Sequence, residues 1–81
     1  MENKNVLGKR LQAVCQQKNM SFRELAEKSG VPEKTILRIA WGSRTNPGIF
    51  LMINICDALD ITVDEFFGTE EFDEFRKKKT E

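Results

Sequence analysis

Two basic side chains and one aromatic side chain share one side of a short predicted helix near the middle of this chain. Lys34, Arg38 and Trp41 are spaced i, i+4 and i+7, so at about 100° per residue they fall together. The other side carries apolar residues at helical spacing, namely Ile36, Ile39 and Ala40. A cation displayed in this way can pair with the O6 and N7 atoms of guanine. The pattern therefore predicts an amphipathic helix over residues 32–41 that presents cations to solvent.

Other chemistry has little support in the residue types present. The 81 residues include no histidine and only two cysteines, Cys15 and Cys56, each within an apolar pattern. We expect both thiols to be buried and reduced, because disulfides are uncommon in the cytosol. The sequence shows neither a cluster of metal ligands nor a nucleophile beside a base. We therefore expect no cofactor, no metal and no enzymatic activity.

A second short helix is predicted immediately before the amphipathic one. Ser21 and Glu24 form the S-x-x-E pattern of a capping box, and Gly30 can end the helix in a left-handed conformation. Pro32 suits the first position of the next helix, where a missing N–H is no loss. Two short helices with a tight turn between them, the second showing Lys and Arg outward, have the form of a helix-turn-helix. That motif places its second helix in the major groove of DNA.

Three more helices are predicted around this pair. The first covers about residues 7–19, and a fourth should begin at Asn46-Pro47, a capping residue followed by proline, and end near Asp60. The expected apolar face of the fourth helix consists of Ile49, Met52, Ile53, Cys56 and Leu59. Thr62 and Glu65 form a second capping box, which predicts a short fifth helix. The fold class expected is all-α, with five helices.

The last 13 residues are open to two interpretations. Glu70 and Glu71 near the start, and the basic run 76–79 near the end, would complement the dipole of a short sixth helix. The same residues also suit a disordered, charged tail, because an isolated helix of this length is marginal in water. We therefore divide the chain into a folded domain, residues 1–68, and a charged C-terminal tail or short helix, residues 69–81.

The charges are distributed unevenly, although 13 basic and 13 acidic residues give a net charge of zero. Residues 1–44 hold nine basic and four acidic residues, net +5, and residues 45–81 hold four and nine, net −5. A dipolar protein can present its basic face to phosphates while the acidic part points away. Alternatively, both sets are simply solvated surface. With no membrane-length apolar run and no signal-peptide pattern, we expect a soluble, cytoplasmic protein without membrane association.

The segment LAEKSGVPEKTILRI, followed by Gly42 and Asn46-Pro47, resembles the lambda-repressor-like helix-turn-helix domains (Cro/C1 type, XRE family). The resemblance covers roughly residues 7–67. It implies a compact five-helix DNA-binding domain and a small transcriptional regulator of bacterial or phage type, most simply a repressor that occludes an operator. Because one domain covers few base pairs, we expect a homodimer on double-stranded DNA. The sequence assigns no small-molecule effector.

Carried over position by position, the resemblance assigns a base-reading face made of Phe22, Glu33, Lys34, Thr35, Leu37 and Arg38. Glu33 could instead stabilise the helix N-terminus as an acid in the first turn. Phe22 departs from the glutamine that is common at this position, and it cannot make the same hydrogen bonds. It could touch a thymine methyl group, pack against Leu37, or belong to a protein interface. Trp41 could stack on Arg38 or Arg44, cover the core edge, or meet a partner chain.

Phosphate contacts are expected at the helix N-termini that follow Ser21 and Asn46, and in the loop before the fourth helix. The expected residues are Ser21, Ser43, Arg44, Thr45 and Asn46, although the loop could be only a connector. Contacts between two subunits are expected from aromatic residues near the C-terminus, namely Phe66, Phe67, Phe72 and Phe75.

The resemblance also predicts a contact in the core between the first and third helices. Family members often carry arginine and glutamate at the positions of Cys15 and Ala40, where the two side chains pair, so we predict that Cys15 and Ala40 pack near each other.

The alternative function is a protein–protein interaction module, antitoxin-like or regulatory, built on the same fold. The apolar residues Phe22, Leu37 and Trp41, with Glu33, on the expected DNA face favour it.

Overall fold

A computed structural model of the chain describes residues 5–43, 47–68 and 72. These residues form five α-helices and no strand. The helices are α1 (Val6–Gln17), α2 (Phe22–Ser29), α3 (Glu33–Ala40), α4 (Ile49–Ala58) and α5 (Val63–Phe67). The prediction of an all-α, five-helix domain is confirmed. Of residues 69–81 only Phe72 is described, so both interpretations of that segment lie outside the described residues.

All five helices contribute to one apolar core. Helix α3 packs against α1 and α2, and α4 packs against α2 and α5. The core consists of Leu11, Val14, Cys15, Leu25, Val31, Ile36, Ile39, Ala40, Met52, Ile55, Cys56, Leu59 and Phe66. Both cysteines are free and buried, which confirms the expected state of the thiols. Cys15 and Ala40 belong to this one cluster, and their direct contact stays a prediction.

The N-terminal caps of α2 and α5 largely follow the sequence pattern. In α5 the capping box is complete, because Thr62 Oγ1 accepts from the Glu65 N–H at 2.9 Å and Glu65 Oε1 accepts from the Thr62 N–H at 3.0 Å. In α2 only half of the box is present, with Ser21 Oγ accepting from the Glu24 N–H at 3.0 Å. Gly30 ends α2 in the predicted left-handed conformation, at φ +77°.

The predicted start of α4 is wrong. The helix begins at Ile49 and its N-cap residue is Gly48, so Pro47 precedes the helix, and Asn46 lies outside the described residues. Pro32 is shifted in the same sense, since it occupies the N-cap position of α3 and not the first helical position. Both prolines therefore mark the approach to a helix, where their fixed φ is also tolerated.

The predicted apolar face of α4 is only partly correct. Met52, Cys56 and Leu59 are buried as expected, and Ile55 joins them. In contrast, Ile49 and Ile53 remain 57% and 42% exposed. Because α4 carries apolar residues on every side, hydrophobic periodicity could not decide which side faces the core.

Arg10 of α1 holds the C-terminal end of α5 against the rest of the domain. Its Nε donates to the Phe66 carbonyl at 2.8 Å, and its Nη2 donates to the Glu65 carbonyl at 2.9 Å. The guanidinium also lies 5.6 Å from the centre of the Phe66 ring. Cationic donors at a helix C-terminus satisfy carbonyls that have no partner within the helix. Nothing in the residue spacing indicated this contact between α1 and α5.

Two of the expected subunit contacts are instead buried within their own chain. Phe66 is fully buried and Phe72 nearly so, and the Phe67 ring lies edge-on to both, at 4.9 Å and 5.0 Å between ring centres. A residue without accessible surface cannot supply a contact to a partner, so the prediction is wrong for Phe66, and Phe72 keeps only 8% of its surface for such a contact. Phe67 is half-buried, and Phe75 lies outside the described residues.

Candidate nucleic-acid interface

Helix α3 is amphipathic in the way that the sequence predicted. Its inner side is buried through Ile36, Ile39 and Ala40, while Lys34 and Arg38 are exposed on the outer side. Glu33, the acid in the first turn, is also exposed. The outer side of α3 is therefore a short surface that carries two cations and one carboxylate.

The C-terminal end of α3 is fixed by its contact with α1. Gln12 Nε2 donates a hydrogen bond to the Ala40 carbonyl at 2.7 Å. The chain then turns away at Gly42, which adopts φ +89°, a conformation that L side chains rarely adopt. Since both the end of α3 and its inner face are held by the core, the outer side chains project from a fixed scaffold.

Phe22 and Trp41 meet where α2 begins and α3 ends. Their ring centres are 6.4 Å apart and their planes are 86° apart, an edge-to-face arrangement. Phe22 is half-buried and packs on the core, whereas Trp41 stays 65% exposed. Such pairs contribute about 0.5–1.5 kcal/mol beyond the area that they bury. The sequence pattern indicated a role for each residue separately but not this pairing, because the two belong to different helices.

The six expected base-reading residues differ in exposure. Glu33, Lys34 and Arg38 are exposed, while Phe22, Thr35 and Leu37 are half-buried. The three exposed residues can reach a ligand without rearrangement, whereas the other three would meet it through the part of each side chain that remains accessible. The cations Lys34 and Arg38 thus form the most accessible part of the expected face.

The expected phosphate contacts lie partly within the described residues. Ser21 Oγ already accepts from the Glu24 N–H, so it caps α2 and leaves the N–H groups of Phe22 and Arg23 without a partner inside the helix. Ser43 is exposed. Arg44, Thr45 and Asn46 lie outside the described residues.

The thiols of Cys15 and Cys56 have pKa values that are shifted by burial. Burial raises the pKa of the Cys15 thiol from 9.0 to about 11. Burial also raises the pKa of Cys56 to about 11, although the positive charge of Arg10 opposes that rise. Both thiols are therefore protonated at neutral pH and poorly nucleophilic. Among residues 5–43, 47–68 and 72, no group of three or more His, Cys, Asp or Glu side chains could hold a metal ion.

The lengths and hydropathies of the described helices were compared with those of a membrane-spanning helix. Within the same described part of the chain, none of the helices is both long enough and apolar enough to cross a membrane.

Comparison with known families places this arrangement in a class. A family model described as Helix-turn-helix matches residues 11–66, which is most of the chain. The chain belongs to this family of DNA-binding helix-turn-helix domains, of the Cro/C1 (XRE) type. It is accordingly a DNA-binding transcriptional regulator by class, and not an enzyme.

A solved structure shows the same fold. One chain of a structure described as "SINR PROTEIN/SINI PROTEIN COMPLEX" superposes with a TM-score of 0.71 and is 25% identical in sequence. The match covers 91% of this chain and 78% of that chain. A search among curated proteins finds no match.

Proposed function

We propose that this protein binds duplex DNA with sequence specificity by placing α3 in the major groove, and that it represses transcription by occluding an operator. The observation that carries the proposal is the outward display of Lys34 and Arg38 on a helix whose inner side is entirely buried. A recognition helix needs both properties, because its base contacts must project from a surface that does not deform.

The outer side chains of α3 have distinct roles in this proposal. Arg38 and Lys34 pair with guanine O6 and N7, which are acceptors in the major groove. Glu33 accepts from cytosine N4 or stabilises the first turn of α3. Thr35 and Leu37, being half-buried, contact thymine methyl groups or sugars at the edge of the interface. Phe22 contacts a thymine methyl group through the accessible part of its ring, and Trp41 lies edge-to-face with it.

Backbone contacts position the domain without reading sequence. The first turn of α2 supplies two N–H groups beside the Ser21 cap, and the positive end of the helix dipole favours a phosphate there. The segment after α3 contributes hydroxyls through Ser43 and Thr45, a charge through Arg44 and an amide through Asn46. These contacts make the affinity depend on salt, because each neutralised phosphate releases counterions.

The proposed unit on DNA is a homodimer in the cytoplasm. Helix α3 has eight residues, so it is about 12 Å long and spans few base pairs. Two copies on half-sites one helical turn apart would double the read sequence, and a pseudo-palindromic operator would match the two-fold symmetry.

A second candidate function is the binding of a partner protein. The similar solved structure is described as a complex of two proteins. In this chain the exposed Trp41 and half-buried Phe22 form an aromatic contact beside the cations of α3. Exposed aromatic residues are typical of protein interfaces, so this surface could serve a regulatory partner instead of DNA.

The only tryptophan, Trp41, provides the signal for a test. Its fluorescence is followed while mixed-sequence duplex DNA is added at 50 and 200 mM salt to the wild type, to Lys34→Ala/Arg38→Ala, and to Lys9→Ala/Lys18→Ala. The control pair removes two exposed cations at α1 and its C-terminal end. We expect wild-type affinity to fall with salt by about 0.9 logarithmic unit per neutralised phosphate per tenfold change. We also expect at least tenfold weaker binding by the α3 variant and little change in the control.

Two results would contradict DNA binding through α3. One is the absence of wild-type binding at low salt, and the other is equal binding by the α3 variant and the wild type. Either result would turn attention to the protein-binding candidate.

A further inference from the structure

Helix α4 carries apolar residues on every side, yet one of its sides is exposed. Between Gly48 and Leu59 the only charged residue is Asp57. Ile49, Phe50 and Ile53 are 57%, 79% and 42% exposed. These three residues, together with exposed Asn54 and Asp57, form what we call the outer face of α4. A helix that is hydrophobic all round is normally covered all round, so this face suits an interface.

The composition of the outer face decides which kind of partner suits it. It offers no cation and only one short amide side chain, so it has little with which to hold a DNA phosphate. Its three apolar residues expose on the order of a few hundred Å², the size of the largest patches on single proteins. That is less than the roughly 800 Å² per partner of a standard interface, so the face would support only weak association on its own.

The residues of the outer face are arranged symmetrically about Ile53. Ile49 lies four residues before it and Asp57 four residues after it, each about 6 Å away along the helix axis. The N-terminal end of α4 lacks a side-chain cap from Gly48 and has no acid in its first turn. Asp57 is exposed, and its carboxylate pairs with no other residue of the described chain.

The outer face of α4 is complementary to the same face of a second copy. In an antiparallel two-fold pairing of α4 with α4 of another copy, Ile53 lies near the symmetry axis and faces its own equivalent. Each Asp57 then lies beside the uncapped, positively polarised start of the partner helix, where a carboxylate is stabilised. Phe50, the most exposed apolar residue, packs at the edge of the same contact.

We propose that the outer face of α4 is the surface through which two copies of this protein associate. The proposal rests on the homodimer part of the proposed function and gives the dimer a surface other than the fully buried Phe66. The contact is weak in free solution and is completed when both copies occupy adjacent half-sites on DNA.

Sedimentation equilibrium of the full chain without DNA tests the proposal. We expect the wild type to show a concentration-dependent monomer–dimer equilibrium. Ile53→Lys and Ile53→Asp should each sediment as monomers, because two like charges would meet at the axis. An equimolar mixture of the two variants should restore the dimer, because opposite charges then meet. Asp57→Asn should weaken the dimer about tenfold, since two carboxylate–helix contacts are lost.

Matched variants separate loss of the contact from loss of folding. Ala13→Lys adds the same charge at an exposed position of α1 and should dimerise like the wild type. Phe50→Lys changes a still more exposed residue, so it serves where Ile53 variants alter folding, and circular dichroism reports folding of each. A wild type that stays monomeric at millimolar concentration would overturn the proposal. So would dimers that persist in both Ile53 variants, or a mixture that stays monomeric.

DNA binding is measured separately on a single half-site. The Ile53 variants should bind a half-site like the wild type and lose at least tenfold in affinity only on paired half-sites. Failure of every protein to bind a half-site would contradict the proposed DNA function, while the sedimentation result would still judge the outer face of α4.

Discussion

Gln12 and Ala40 join the first helix to the end of the third, through a 2.7 Å hydrogen bond from the Gln12 side-chain amide to the Ala40 carbonyl. The Ala40 carbonyl belongs to the last turn of α3, where carbonyls receive no hydrogen bond from an N–H group of the same helix. The side chain of Ala40 is only a methyl group, so it is the backbone carbonyl at this end of α3 that a neutral amide from α1 holds.

Removal of that amide should destabilise the domain. We expect Gln12→Ala to lower the free energy of unfolding by about 1–2 kcal/mol, because the partly buried carbonyl loses its partner. Gln16→Ala, which removes an exposed glutamine from the same helix, is the control and should change stability by less than about 0.5 kcal/mol. Urea denaturation followed by circular dichroism measures both. Equal effects of the two substitutions would show that the hydrogen bond contributes little.

Gly8 is predicted to be irreplaceable for a steric reason. A Cβ atom there would lie 2.5 Å from the carbonyl oxygens of Ile39 and Ala40, and against the side chain of Asn5. Backbone atoms cannot move aside as flexible side chains do, so Gly8→Ala should cost about 2–3 kcal/mol in the free energy of unfolding.

Gly48→Ala provides the control for that substitution. A Cβ at Gly48 would meet no atom within 4 Å. Its effect should therefore stay within about 1 kcal/mol, set by capping preference and chain entropy. Thermal melts of both variants decide the question, and similar melting temperatures would contradict the close approach of α1 and α3.

The pair of Cys15 and Ala40 yields a double-mutant prediction. Both residues are buried in one core cluster. Cys15→Arg or Ala40→Glu alone should destabilise the domain by about 3–5 kcal/mol, because each buries an unpaired charge. The double variant should recover part of that loss if the two positions are in contact. Additive losses in urea denaturation would show that they are not.

The features predictable from sequence were those with local causes. The apolar side of α3, the left-handed Gly30 and the Thr62–Glu65 capping box each depend on residues within one turn or two, so their spacing sufficed. The cations of α3 could likewise be placed on its outer side. Whether they contact DNA still rests on the proposed function.

The features that could not be predicted depend on contacts between distant segments. Helix α4 carries apolar residues on every side, so hydrophobic periodicity could not indicate which side faces the core. Ile49 and Ile53 were therefore assigned to the wrong side. Phe66 looked like a terminal aromatic residue available to a partner, because sequence cannot show that α1 covers it. Nothing in the residue spacing indicated that the missing side chain of Gly8 is what lets α3 approach α1.

Alkaline pH should destabilise the domain through the thiols. Cys15 and Cys56 have pKa values raised from 9.0 to about 11 in the folded state. The unfolded chain therefore releases these protons first, so stability is complete below pH 9 and falls as the pH rises toward 11. Urea midpoints at pH 7.5, 9 and 10 measure this fall. The Cys15→Ala/Cys56→Ala variant should show a smaller fall over the same range, and an equal fall would exclude the thiols as its cause.

Arg10 should be the surface cation whose loss costs most stability. Its guanidinium donates to two successive carbonyls, of Glu65 and Phe66, and lies over the Phe66 ring. Arg10→Lys keeps the charge but cannot reach both carbonyls in the same plane. We expect a loss of about 1–3 kcal/mol for Arg10→Ala and a smaller loss for Arg10→Lys. Lys9→Ala, one residue earlier and exposed, should have almost no effect.

Hydrogen exchange of the α5 amides should also be faster in Arg10→Ala than in the wild type, because α5 has only five residues and needs tertiary contacts to persist. Unchanged exchange in α5 would show that α1 does not hold it.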